Sequence, residues 1–141
     1  MAKRDARTAG HRLPLELLPQ PLMLCRLPAD APVPDWAGTA RRFLSITRTA
    51  EELSIVADEV ALPPDCDAQR GYRAIRVRGP LPLDLVGIFA ALASPLADAG
   101  IPIFPIATWD TDYLLVQQAD LAAAVEALER AGHLVTREHI G

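Results

Sequence analysis

The chain has 141 residues, half of them hydrophobic and 23% charged, with a formal net charge of −4. That is enough apolar material for one ordinary domain or for two small ones sharing a core. The negative balance argues against a scaffold held to nucleic acid by phosphate contacts, and no apolar run reaches the ~18 residues that span a bilayer, so neither nucleic acid nor a membrane is expected as a partner.

Residues 1–12 (MAKRDARTAGHR) are basic and polar with no apolar centre. They do not read as a secretory signal; they read as a disordered tail. Two strands are expected next, over 13–17 and 22–27. Pro34, Asp35 and Trp36 suggest a single helical turn. Residues 43–47 and 53–57 form a second pair of strands around the turn at 49–52. The stretch 62–71 (LPPDCDAQRG) is polar and turn-rich and reads as a junction. The division expected is therefore 1–12 as tail, 13–68 as a β-rich first unit and 69–141 as a second unit. Cys25 and Cys66, the only two cysteines, have neither a metal-ligand spacing nor a CxxC. They read as free thiols in a reducing compartment, hence a cytoplasmic chain. The thirteen prolines break the chain into short elements and exclude long helical bundles.

The second unit is more regular. Residues 72–78 alternate, with Ile75 and Val77 on one face and Ala74, Arg76 and Arg78 on the other, as in a half-buried strand. Asp84 is placed to cap a helix whose apolar stripe is Leu85, Phe89, Leu92 and Leu96. Pro95 removes one backbone donor late in that helix, and Gly100 stops it. Residues 101–108 are apolar and β-branched, and Pro102 and Pro105 place at least part of that strand at a sheet edge. Trp109, Asp110 and Thr111 make a short turn, and 112–117 return. Asp120 opens a second helix with Leu121, Val125 and Leu128 on one face and the Glu126–Arg130 pair on the other. Gly132 ends it, and 133–137 form a last strand. The order β-α-β-β-α-β is the split βαβ, ferredoxin-like arrangement, an α+β fold. The hairpin segment SITRTAEELSIV (45–56) also lies over PIATWDTDYLLV (105–116) at a spacing of sixty, weak evidence for two related units.

No catalytic apparatus emerges. The three histidines have no metal-ligand spacing, and there is no GxSxG, Walker loop or positioned base for a cysteine. No enzyme activity, metal or cofactor is expected. Two segments carry binding chemistry, each against a plainer reading. In TWDTD (108–112), Asp and Thr side chains either hold their own turn or form a cation site: Asp110 and Asp112 on an ammonium, Thr108 and Thr111 adding hydrogen bonds. In LPLDLVG (81–87), Asp84 and Gly87 either cap and fit the helix or open a helix N-terminus toward a carboxylate, with Gly87 allowing close approach. Together the two would hold an amino acid at both ends. Arg70, Arg73, Arg76 and Arg78 read as the solvated outer face of a strand rather than as an anion patch.

The segments FLSITRTxxELSIV (43–56), RGPL (78–81) and AGIPIFPIATWDTDYLLV (99–116) resemble the small bacterial ACT-domain proteins, which are similar to the halves of the animal cytosolic arginine sensors. The resemblance covers nearly all of 13–135 and departs at Trp109 and Pro105. It implies tandem ACT-like units, the first irregular and the second βαββαβ, with sheets paired side by side between units or chains. It also implies a ligand held at such an interface. Carried over by position, the ligand site is Asp84, Leu85, Val86 and Gly87, the backbone at Ile101 and Ile103, and Thr108, Asp110, Thr111 and Asp112. The expected function is non-catalytic binding or sensing of a small molecule, an amino acid by preference, in a homodimer that covers the proline-bearing edge strand. The alternative is an interaction module without a ligand, assembling through its sheet edges.

Overall fold

The computed structural model describes residues 11–39, 42–59 and 67–137. The tail over 1–10, the first part of the junction at 62–66, Cys66 and His139 lie outside these residues. The chain divides into two compact units: residues 20–72, and residues 1–19 together with 73–141.

The unit over 20–72 is built from β2 (Leu22–Leu27), β3 (Leu44–Arg48), β4 (Leu53–Asp58) and the first part of β5 (Asp67–Val77), in the order β3-β4-β2-β5. All three pairings are antiparallel. Between β2 and β3 the described residues make a 3-10 turn, Asp35–Thr39. Met23, Cys25, Leu53 and Ile55 form its core, with Trp36 packed against them. The junction 62–71 is not all loop. Residues 67–71 are strand, because β2 supplies hydrogen-bond partners that an unpatterned sequence does not advertise. The ladder slips between Leu22–Tyr72 and Leu24–Gln69. Gly71, at φ 81°, takes up the extra residue, as glycine does in a bulge, and its N–H donates to Glu59 Oε1 at 2.8 Å. Cys25 corrects the free-thiol expectation: it is disulfide-bonded.

The other unit contains the ferredoxin-like succession: the end of β5, α1 (Ile88–Asp98), β6 (Phe104–Ala107), β7 (Asp112–Gln117), α2 (Leu121–Arg130) and β8 (Leu134–Arg137). One strand is added. β1 (Pro14–Leu17) pairs antiparallel with β5 and parallel with β8, giving the order β8-β1-β5-β7-β6. A strand from the segment assigned to the first unit thus lies in the second unit's sheet. Leu15, Leu17, Ile75, Val77, Leu114 and Val116 meet Ile88, Leu92, Leu96, Leu121 and Leu128 of the helices in one core. Removing one such leucine side chain costs about 2–5 kcal/mol.

α1 starts three residues later than Asp84 as its cap would place it. Gly87 has φ 86°, a left-handed conformation that no helix interior accepts, so 81–87 is a loop and Asp84 caps nothing. The buried face is Ile88, Ala91, Leu92 and Leu96, while Leu85 and Phe89, expected in the stripe, are exposed. Pro95 lies inside α1. Its missing N–H would have bonded the Ala91 carbonyl. That carbonyl instead accepts from His133 Nε2 at 3.1 Å, and His133 Nδ1 accepts from the Leu13 N–H at 3.0 Å. α2 begins after Asp120, which makes no side-chain cap bond. Both helices end as left-handed glycines dictate: Ile101 N–H bonds Leu96 O and His133 N–H bonds Leu128 O, the 6→1 closure of a helix C-terminus.

The two hairpins share one construction. In each a threonine opens a four-residue turn. Thr49 N–H donates to Glu52 O at 2.9 Å and its hydroxyl accepts from Glu52 N–H at 3.2 Å; Thr108 N–H donates to Thr111 O at 2.9 Å and its hydroxyl accepts from Thr111 N–H at 3.3 Å. The strand registers superpose at a spacing of 59, not sixty. Glu52 therefore answers to Thr111 and not to Asp112.

Candidate functional site

The hairpin turn after β6 and the loop before α1 meet around a cavity of about 180 Å³. The hinge of this meeting is a short backbone bond, Leu81 N–H to Asp110 O at 2.7 Å. Gly79 makes room for it: a Cβ there would stand 3.0 Å from Asp110 O and 3.3 Å from Thr111 Cβ.

Of the expected site residues, Leu85, Thr108, Asp110, Thr111 and Asp112 line this cavity. Asp84 and Val86 are exposed and do not. The Val86 carbonyl accepts from His11 Nε2 at 2.9 Å, so His11, from the stretch read as tail, reaches this loop. Gly87 serves the backbone turn into α1. Ile101 is buried in the core with its N–H spent on ending the helix, and Ile103 packs against that core. Leu81, Leu83, Ile88 and Trp109 line the cavity without having been anticipated. The RGPL motif and the odd tryptophan were the available signals.

The hydroxyls follow the plainer reading. Thr108 Oγ1 donates to Thr111 O at 3.1 Å, and buried Thr111 Oγ1 donates to Val77 O at 2.6 Å, tying the turn to β5. The carboxylates do not. Neither Asp110 nor Asp112 has a side-chain partner among the described residues. Among the described residues the cavity thus has two uncommitted acceptors of positive charge and an apolar rim, with Leu83 66% and Trp109 77% exposed. Among the described residues no three His, Cys, Asp or Glu side chains converge as metal ligands, and no helix is long and apolar enough to cross a membrane.

A family model described as an ACT domain matches residues 67–130. The chain carries an ACT domain. A second model, of an N-terminal domain, matches residues 23–65. The ACT-domain chain is 38% identical to protein Atu0741 from Agrobacterium tumefaciens, whose crystal structure superposes with a TM-score of 0.84 over 92% of this chain and 96% of that one. It is 38% identical over 60 residues to the human cytosolic arginine sensor for mTORC1 subunit 1, covering 42% of this chain. The chain spans between 18% and 65% of the length of the curated human relatives it matches. The regulatory subunit of Thermus thermophilus aspartate kinase has the same fold at 14% identity, with a TM-score of 0.52 over 85% of this chain and 95% of that one.

Proposed function

We propose that this ACT-domain chain is a regulatory protein without catalysis of its own, which binds an amino acid in the cavity between the 81–88 loop and the 107–112 hairpin. The observation that carries the reading is the pair of carboxylates, Asp110 and Asp112, without a side-chain partner among the described residues, at a cavity rimmed by exposed apolar side chains. Two neighbouring carboxylates suit the ammonium or the cationic side chain of an amino acid, and the half-open mouth suits closure by a second surface. That surface is a second copy of the chain in a homodimer, so ligand binding would favour the assembled state. The name of the human relative, an arginine sensor, and the aspartate kinase regulatory subunit support an amino acid as the ligand class.

The test is thermal unfolding of the purified protein against the twenty amino acids and common metabolites. A ligand at a hundred times its dissociation constant stabilises the fold by about 2.7 kcal/mol. Asp112→Asn should abolish the shift for the responding ligand and leave the unliganded midpoint in place. An unchanged affinity of that variant by calorimetry would move the site elsewhere.

A second reading has its own support. Leu83 and Trp109, which share the rim of the cavity, are 66% and 77% exposed, apolar surface of the kind that joins proteins. In that reading the chain is an interaction module. A stable dimer whose midpoint ignores the whole panel would favour it.

A further inference from the structure

We infer that Arg73 and Arg137, at the end of the sheet away from the 107–112 hairpin, form a site for a phosphate group. Strand register places them together. Leu17 of β1 points into the helix-covered core and stands opposite both Ile75 of β5 and Arg137 of β8. Partners in register share a face of the sheet, so Arg137 lies on the helix side. Arg73, two residues before Ile75, takes that side too, not the solvated outer face expected for it. β5 and β8 flank β1, so the two strands stand about 10 Å apart, a span that two long side chains can close.

The charges here are uncompensated. The other three arginines of 70–78 have carboxylates: Arg70 has Glu59 at 4.0 Å, and Arg76 and Arg78 share Glu16. Neither Arg73 nor Arg137 has an ion pair among the described residues, and Asp120, two residues beyond Gln118, pairs with neither. Arg73 is held by neutral acceptors instead. Its Nη1 donates to Gln118 Oε1 at 3.1 Å and its Nη2 to the Leu18 carbonyl at 2.9 Å. Its buried Nε–H has no hydrogen-bond partner among the described residues. Burial weakens the Arg73 cation, and the charge of Arg137 weakens it further; a bound anion would relieve both.

The spare donors suit a phosphate. Each guanidinium has five N–H donors; two of Arg73's are engaged, and none of Arg137's among the described residues. Gln118 spends its oxygen on Arg73, which leaves its amide N–H groups as further donors. Two uncompensated cations match a dianion, and guanidinium forks bond phosphate oxygens in pairs. A carboxylate would leave one charge unmatched. The site shares no residue with the first cavity and does not depend on what that cavity binds.

The test is an NMR titration of the full chain with inorganic phosphate and with methyl phosphate, at a pH where both are chiefly dianions. Ionic strength is held with sodium chloride, and the side-chain Nε–Hε signals of Arg73 and Arg137 are read. Saturable shifts of both signals are expected, with weaker binding of acetate. Saturation by both probes admits an esterified phosphate; saturation by inorganic phosphate alone restricts the site to the free ion. Arg137→Gln, at an exposed side chain, should weaken binding about tenfold. Arg78→Gln, whose charge Glu16 already compensates, should leave the midpoint in place. Shifts that do not saturate, that chloride reproduces or that acetate matches would overturn the assignment. So would an unchanged midpoint in Arg137→Gln, or an equal loss in Arg78→Gln.

Discussion

His133 joins three elements through two hydrogen bonds, and its removal should be costly in a way that Pro95 controls. The ring is 5% exposed. Its Nε2–H donates to the Ala91 carbonyl, which Pro95 deprives of its helical partner, and its Nδ1 accepts from the Leu13 N–H just ahead of β1. His133→Phe keeps the apolar bulk and strands both groups. A buried unsatisfied donor or acceptor costs about 1–3 kcal/mol, so the loss should be roughly 2–6 kcal/mol in urea unfolding, and His133→Gln should recover part of it. The decisive variant is Pro95→Ala. It returns an N–H to α1, so the Ala91 carbonyl regains a helical partner. In the His133→Phe background Pro95→Ala should therefore give back about 1 kcal/mol or more that it does not give in the parent protein, a coupling read from a double-mutant cycle. A cost below about 0.5 kcal/mol for His133→Phe, or strict additivity of the two changes, would refute the reasoning, taking 0.5 kcal/mol as the ordinary error of additivity.

Gly79→Ala should cost about 1–2 kcal/mol in chemical unfolding and lower affinity for the cavity ligand, since the new methyl pushes Asp110 O and the 108–111 turn. Thr49→Val and Thr108→Val should each cost about 1 kcal/mol by the same assay, because each removes a hydroxyl bonded within an equivalent turn; a large difference between them would count against the shared construction. Cys25 should resist alkylation in the unfolded, unreduced protein and react after reduction, as mass spectrometry would show, given its disulfide.

Much of the fold was legible because local pattern decides it. The alternation over 72–77 at the end of β5, the threonine turns and the glycines that stop both helices lie where the residues put them. What escaped is non-local or conformational. The strand character of 67–71 comes from pairing with β2, since DAQRG has no apolar period of its own. β1 finds its neighbours in β5 and β8, which no nearby residue announces. The start of α1 turned on a single dihedral at Gly87, where the apolar period of Leu85 and Phe89 pointed one turn too early. The candidate site divides in the same way. The 108–112 side was readable as turn chemistry plus spare carboxylates, whereas Leu81 and Leu83 join it only because Leu81 N–H reaches Asp110 O.

The place of β1 has a consequence for how the protein is made. The sheet beside the candidate site needs residues 14–17 at one of its inner positions and residues 134–137 beside them. On the ribosome the first strand is synthesised early and must wait for nearly the whole chain before its parallel neighbour exists, while residues 20–72 are already complete as a compact unit. A fragment cut to the bounds of the matched ACT segment, 67–130, would lack both strands. Such a fragment is therefore expected to fold less stably than one that keeps residues 14–17 and 134–137.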